Sequence, residues 1–556
     1  MSSTVFKDLP TGQVGYENEE GGLMQADKTI VPFEGQLTLL QGDGFIRIEP
    51  EIPPILKKKL RYYHRALKKD PHNPWKRTMS GEYRNLYETD FYIDDDQKIT
   101  NYLITMPGFM HRIKNILHEY GIPYVIRDIR TPPPPIDYYK AMQGLREYQY
   151  DPALDMLMAG GGICGCPTGF GKTHLIAALF NGISPEELNA RNTPLSVLAA
   201  TDKDVSQKNY NDLQRILPGR DIGLVMSGHK KWSSDIQVIT LDSLHKLDPN
   251  DIGILVVDEV HTAGTEKRSE RISAVRKALK WGVSATPLGR FDGGDLKTEG
   301  MFGPVVTTRT YTQGVEVGAL VPIEVYYLNC PEPDCGLAYF QKLSTKHSQL
   351  GRGIEKNKHL VALLKELSDR IPQDMQTLMI MQHLSQMNEL QGAIKGYAQV
   401  HAEQSDDNLV QKQLFNLKPV KSSERNKMYK RVESGELKRT MSTYVYKQGV
   451  NFPQLEVVIC PGGGGSKLVA GQIPGRTSRR IVGKDKSYII DFWHPWDQTI
   501  TDKPGGVSQN KPGALLRDDK ARDKVYRELG FVRTWVQSLD AIPFLNPGEN
   551  HGAAQD

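Results

Sequence analysis

The sequence predicts an α/β fold: two tandem domains built on parallel sheets, preceded by a small α+β domain. Three observations predict it. From Leu145 onward, short apolar runs alternate with helix-length amphipathic segments. A glycine-rich turn, "CPTGFGKT" (Cys166 to Thr173), lies between a strand-like run and a helix-like one. An acidic pair, Asp258 and Glu259, closes another apolar run. Buried strands separated by helices imply βαβ units, hence parallel sheets.

The bulk composition agrees. A chain of 556 residues suggests roughly three or four domains at about 150 residues each. With 38% hydrophobic and 24% charged residues it reads as an ordinary soluble globular protein. No apolar run approaches the roughly 20 residues that a membrane helix needs. The start, "MSSTVFKDLP", lacks the order of a signal peptide. Five cysteines are sparse, and Cys330 and Cys335 have no partner pair for a zinc site. A reducing, cytoplasmic setting is expected.

Residues 1 to about 30 are polar and read as frayed. "FIRIEP", "NYLITM" and "YVIRDIR" read as strands, while "PPILKKKLRYYHRALKK" and "FMHRIKNILHEYG" read as helices. The proline run Thr131 to Pro135 is a stiff linker. The first sheet draws on "GGICGC", "PLSVLAA", "DIGLVM", "DIQVIT", "DIGILVV" and "KWGVSA". The second draws on "MQTLMIMQ", "LKRTMST", "LEVVIC" and "KSYIIDF". His401 to Asn408 reads as a loop, "RDDKARDKVYRELGFVRTWV" as one strong helix, and "NPGENHGAAQD" as a disordered end. The expected division is 1–140 (nucleic-acid-binding domain and linker), 141–325, 326–495 and 496–556 (helix and tail).

Formal net charge is only +4, but its distribution is uneven. Between Lys57 and Arg84, bases including Lys57, Lys58, Lys59 and Arg61 outweigh acids, with Tyr62, Tyr63, Trp75, Tyr83 and Tyr87 interleaved. This reads either as a polyanion-binding surface or as a solvated helix face over core aromatics.

The turn at Cys166 to Thr173 has the chemistry of a phosphate cradle. Gly169 and Gly171 can take unusual φ values, so backbone N–H groups turn inward ahead of a helix start. Lys172 would reach the β/γ-phosphates, and Thr168 belongs to the same cradle. Thr173 would place its hydroxyl on Mg²⁺. Cys166 replaces the first glycine of G-x-x-x-x-G-K-[ST], at a strand end where a small residue is enough. Cys164 and Cys166 read as packed strand residues and His174 as an ordinary helix residue. Asp258 would hold Mg²⁺ and Glu259 would orient and deprotonate the attacking water. ATP and Mg²⁺ are the expected ligands.

These motifs, with others, resemble helicase superfamily 2, the motors with two RecA-like domains, over about Leu145 to Asp491. "LREYQ" resembles the adenine-reading segment and puts Gln149 on the base edge. "CPTGFGKT" resembles motif I and "DEVH", Asp258 to His261, motif II. "SATP", Ser284 to Pro287, resembles motif III, which links ATP state to domain closure. "TYVYKQGVNFP", Thr443 to Pro453, resembles motif V, placing Gly449 and Asn451 by the nucleotide. "QIPGRTSR", Gln472 to Arg479, resembles motif VI, whose two arginines, Arg476 and Arg479, reach across the cleft to the γ-phosphate, with Gln472 at the start of that helix counted among the catalytic residues. Hydrolysis then requires the domains to close, and loss of the γ-phosphate lets them open. A single strand in the cleft would be gripped through its phosphates, with Thr201, Thr240, Ser243 and Thr443 as candidates; each could equally cap a helix.

Two departures stand out. Motif V often ends in glycine–x–aspartate, whereas this chain has Gly449-Val450-Asn451, so a ribose contact would use the amide. Pro474 lies inside motif VI and suits only a first helical turn. Gly462 to Gly465 read as a loop, and Gln313 and Asp292 carry structural readings only. The asparagine, "SATPLGRFDGG" and the segment after it resemble phage recombination helicases of the UvsW type and the RecG and Rad25-like branch. The resemblance implies an N-terminal DNA-binding domain where Lys57 to Arg84 lie. It implies an ATP-dependent DNA helicase or translocase on duplex, forked or branched DNA, in the cytoplasm, or in the host cytoplasm or nucleoid for a viral protein. The alternatives are an RNA or RNA–DNA hybrid helicase, a translocase subunit of a restriction or remodelling complex, and a catalytically silent scaffold. Retention of Lys172, Asp258, Glu259, Gln472, Arg476 and Arg479 together speaks against the scaffold. Oligomeric state is not readable from the sequence.

Overall fold

In a computed structural model of the chain, the residues described are 7–8, 14–17, 23–25, 36–50, 52–70, 73–93, 97–290, 292–334, 357–381, 384–400, 422–442, 452, 454–461, 477–502 and 508–546. Two mainly parallel sheets in tandem give the chain its α/β class, with one antiparallel edge strand, His229–Lys231, in the first. The first is eight-stranded. Its centre is Leu195–Ala200, flanked by Ile236–Thr240 and Ile252–Asp258. Both central strands are buried along their whole length, which is why their sequences are continuous apolar runs rather than alternating ones. The phosphate-loop strand Gly162–Gly165 lies between Leu279–Ser284 and Val305–Thr308. The indole Nε1 of Trp281 donates to the carbonyl of Met156 at 2.9 Å and ties the Glu147–Ala159 helix to this sheet.

The second sheet has seven strands. Gln376–Ile380, Leu455–Cys460, Ser487–Trp493 and Ile323–Asn329 form its middle. Its edge holds a difference from the sequence reading. "RDDKARDKVYRELGFVRTWV" is not one helix: the helix runs Ala514–Glu528, Gly530 turns with φ 76°, and Val532–Val536 pairs in parallel with Ile323–Asn329. The β-branched and aromatic residues of "VRTWV" suit a strand, and only the distant Ile323–Asn329 edge offers them a partner.

That C-terminal helix is fixed by a buried ion cluster. Arg522 donates to Asp491 through Nε (2.8 Å) and Nη2 (2.7 Å), and through Nη2 to Asp519 (2.9 Å). Asp519 also accepts from the backbone N–H of His494 at 2.7 Å. Buried charges persist only when paired in this way.

Near the N-terminus, a five-stranded sheet (Tyr124–Asp128, Leu37–Gly42, Phe45–Glu49, Ile99–Thr105, Tyr87–Ile93) packs on the Met110–Glu119 helix. The helix expected over residues 53–69 is mostly absent. Pro54–Lys59 forms a short helix, then Arg61–Asp70 pairs antiparallel with Asn73–Asn85 in a long ribbon. The reason is periodicity. Tyr62 is buried in the N-terminal core while neighbouring Tyr63 is exposed, an alternation of period two. Tyr63 faces Tyr83 across the ribbon, and Gly81 makes room for the Tyr63 ring.

Replacing Arg522 with alanine leaves Asp491 buried without its cation and Asp519 with only the His494 ring. Loss of one partner from a buried pair costs about 3–5 kcal/mol, so the second lobe should unfold at clearly lower urea. An unshifted urea transition would show that the cluster does not hold that lobe.

Candidate active site

The phosphate loop begins where the Gly162–Gly165 strand ends. Cys164 and Cys166 are buried with their sulfurs 3.3 Å apart, and the Cys166 N–H donates to Ser284 O at 3.0 Å. Gly169 and Gly171 both adopt left-handed backbone, with φ 93° and 96°. The Lys172–Asn181 helix then starts with Gly171 as its N-cap and no side-chain cap. An uncapped helix start behind two left-handed glycines presents its N–H groups to an anion. The Lys172 ammonium folds back to Cys166 O at 3.4 Å, and Thr173 sits half-buried in the first turn.

Gln149 is placed differently from the expectation. It is buried, its Nε2 donates to the carbonyls of Phe170 (3.0 Å) and Gly171 (3.3 Å), and its Oε1 accepts from Arg146 N. Its amide therefore braces the phosphate loop. A cleft of about 410 Å³ opens beside the loop helix, lined by Gln143, Leu145, His174 and Arg220 among others, and Gln149 is not part of its wall.

The acidic pair lies at the carboxyl end of the strand beside this loop's neighbour. Asp258 is buried, accepting from Asn209 Nδ2 (2.9 Å) and from the Glu259 N–H (3.0 Å). Burial first, and the Glu259 charge second, hold its carboxyl above the usual carboxylate range, while Lys172 pulls it back. Glu259 takes a left-handed backbone, φ 55°, which is strained for a residue with a Cβ and occurs most often at functional sites. Its Oε2 accepts from the Ser284 hydroxyl at 3.2 Å. Since that proton is spent on Glu259, the 3.0 Å contact between His261 Nδ1 and Ser284 Oγ requires Nδ1 to carry a hydrogen. Burial keeps His261 below its ordinary pKa. The DEVH and SATP segments are thus joined by side chains.

The second lobe reaches the same loop. Leu320 and Arg479 form an isolated antiparallel bridge, and Val321 N–H donates to Ser478 O at 2.7 Å. A Cβ on Gly169 would stand 2.8 Å from Leu320 Cδ2 and 3.1 Å from Arg479 Cγ. Burial lowers the Arg479 pKa, against the pull of Asp212 and Glu433, and its buried Nε has no hydrogen-bond partner among the described residues. Gln472, Arg476, Thr443, Gly449 and Asn451 lie outside the described residues.

These observations fit a nucleoside triphosphate with its divalent cation. The loop helix starts without a side-chain cap, the buried Nε of Arg479 has no acceptor among the described residues, and Asp258 is a buried carboxylate. Asp258 and Thr173 are hard oxygen donors of the kind Mg²⁺ takes.

Thr201 and Thr240 follow the adjacent strands Leu195–Ala200 and Ile236–Thr240 at the same carboxyl edge, with Ser243 one turn further. Each is only 7% exposed, so a ligand there would meet mainly backbone. The Thr201 hydroxyl contacts Asp202 at 3.4 Å, and Ser243 accepts from Lys246 at 3.3 Å. Lys58, Lys59 and Arg61 are exposed and Lys57 is half-buried, all at the foot of the ribbon. The Arg61 guanidinium lies 4.7 Å from the Tyr83 ring centre. Asn209 is a site residue that the sequence did not reveal, because it sits in a helix with no motif of its own.

Fold and site together define an α/β chain with two lobes built on mainly parallel sheets and a glycine-rich loop between strand and helix. Residues 145–289 match the family described as "Type III restriction enzyme, res subunit". A candidate helicase, number 22, from Sulfolobus islandicus filamentous virus (isolate Iceland/Hveragerdi) is 24% identical over 437 residues, covering 71% of this chain and 71% of the relative. Among solved structures, T4 UvsW is 18% identical, with 90% of this chain and 100% of that one covered at a TM-score of 0.38. S. cerevisiae Dbp5 bound to RNA and ADP BeF3 is 15% identical, with 72% and 94% covered at 0.49. The chain is similar to superfamily 2 helicases.

The raised Asp258 pKa has a signed consequence. As pH falls, a raised carboxyl protonates earlier than an exposed one and loses its charge for a cation. Divalent-cation affinity, measured by titrating Mg²⁺ against bound nucleotide, should weaken on acidification while ordinary carboxylates are still ionised. In Asp258→Asn this pH dependence should vanish; an unchanged profile would remove Asp258 from the cation site.

Proposed function

We propose that this chain is an ATP-dependent DNA helicase or translocase that couples hydrolysis to unwinding or remodelling of duplex, forked or branched DNA in recombination, repair or replication. The approach of Arg479 to Gly169 supports this reading: the aliphatic stem of a second-lobe arginine lies against the first lobe's glycine-rich loop. In this reading Lys172 and the N–H groups around Thr168 to Thr173 bind the phosphates. Asp258 and Thr173 would hold Mg²⁺, which when bound neutralises phosphate charge. Glu259 orients the attacking water and takes its proton; Ser284 and His261 keep that carboxylate in place. Arg479, with Arg476 and Gln472, stabilises charge in the transition state. Gln149 reaches an adenine edge only if its amide exchanges the loop carbonyls for the base. Gly449 and Asn451 are assigned the ribose.

Hydrolysis removes the γ-phosphate, and with it the bridge between lobes. A strand gripped near Thr201, Thr240, Ser243 and Thr443 would then be stepped. Lys57, Lys58, Lys59 and Arg61 supply the contact to the DNA backbone, from an N-terminal domain proposed to span residues 1–140. The similarity to a virus protein supports a viral setting, with action in the host cytoplasm or nucleoid. A second reading, a translocase subunit of a restriction complex, is favoured by the match over residues 145–289.

The test is an ATPase assay with single-stranded, duplex and forked DNA and RNA offered in parallel. Forked or duplex DNA should stimulate most; stimulation by RNA alone would overturn the DNA assignment. Neutralising Lys57, Lys58, Lys59 and Arg61 should weaken DNA binding and flatten its dependence on salt. An unaltered salt slope would leave that stretch a solvated face.

A further inference from the structure

The ribbon does not stand free of the motor. Its first strand donates from the Arg65 N–H to Asp292 O at 3.3 Å. Gly293 turns there with φ 78°, so close to the ribbon that a Cβ would stand 2.7 Å from Tyr63 O and 3.0 Å from the Tyr62 ring. The loop holding these residues directly follows the SATP segment. Within it, Asp292 grips Arg290 with both carboxylate oxygens: Nε donates to Oδ1 at 2.9 Å and Nη2 to Oδ2. Asp292 Oδ1 also accepts from the Gly294 N–H at 3.0 Å. The remaining arm of Arg290, Nη1, donates to His261 O at 2.7 Å. His261 in turn contacts Ser284, and Ser284 holds Glu259.

Contact is thus unbroken from the ribbon backbone to the carboxylate assigned to water activation. The Arg290 and Asp292 side chains are mostly shielded, at 18% and 16% exposure, so solvent screens their pairing little. A guanidinium suits the role because its planar fork binds a carboxylate on one edge while another N–H reaches a different acceptor. Lysine, a point charge on a flexible stem, cannot fix both directions at once.

We propose that Arg290 and Asp292 are positioning residues that couple nucleic acid seated on the Arg61–Asn85 ribbon to the placement of Glu259. This rests on the reading of Glu259 as the general base and of the ribbon's foot as a DNA contact. Movement of the ribbon shifts Asp292, Asp292 turns the Arg290 fork, and the fork moves the turn that carries His261 and Glu259. Proton abstraction tolerates little misplacement, so a small shift is enough to change turnover.

Two measurements test it, both on the full chain with forked DNA as the probe. In the first, Arg290→Ala and Arg290→Lys are compared with wild type by steady-state ATPase. DNA-stimulated kcat should fall about tenfold in both variants, within the usual range of coupling between sites, while KM for ATP and DNA affinity hold. Lysine should fail to rescue. Wild-type stimulation in either variant would overturn the coupling, as would full rescue by lysine, which would mean that charge alone matters. The second needs no variant and no turnover: amide hydrogen exchange with and without DNA. Binding should alter exchange at residues 259–262 and 284–294 as well as along the ribbon. Protection of the ribbon with no change at those residues would overturn the link. Failure of DNA to bind would instead overturn the functional reading, and this inference with it.

Discussion

A highly charged anion can be enclosed from two sides only if the two sides can come close, and Gly169 is where they do. Any side chain there would collide with Leu320 and with Arg479 of the second lobe. The glycine therefore serves twice, first by its left-handed backbone and then by its missing Cβ. The rest of the molecule serves that approach. The first lobe contributes an uncapped helix start and a buried carboxylate; the second contributes Arg479, whose buried Nε has no acceptor among the described residues. That Nε is costly alone, because a buried polar group without a partner loses the water it had when unfolded.

Rigidity on both sides follows from this demand. The first lobe's central strands are buried on both faces, so its carboxyl edge, with Asp258 and Glu259, is held by the stiffest part of the sheet. In the second lobe the Arg522 cluster locks the C-terminal helix to the strand bearing Asp491, and one continuous apolar core runs from the phosphate-loop helix to Leu320, Ile323 and Val458. The strained turn at Glu259 is tied to Ser284 and, through His261, to the loop beneath the ribbon.

The glycine turn ahead of a helix and the acidic strand end were legible in the sequence because both are set locally, by left-handed glycines at fixed spacing and by an unbroken apolar run. The central strands were legible because double burial leaves unbroken apolar runs. What stayed hidden was decided by distant partners. Gln149 braces the loop because the carbonyls of Phe170 and Gly171 come within reach, which no spacing announces. Residues 61–70 carry enough long basic side chains to suit a helix, and only pairing with Asn73–Asn85 makes them a ribbon. Val532–Val536 became a strand because an open sheet edge lay beside it. Asp292 read as merely structural because its importance comes from Arg290 and from a ribbon more than two hundred residues earlier in the chain.

In the proposed function, catalysis needs Arg479 of the second lobe at the first lobe's glycine-rich loop. Single-turnover ATP hydrolysis by Arg479→Ala, beside nucleotide binding by the same variant, tests it most directly. An arginine supplied from across a cleft is worth about 10³–10⁵ in rate, so hydrolysis should fall to that extent while nucleotide is still bound. Hydrolysis at the wild-type rate would contradict the account.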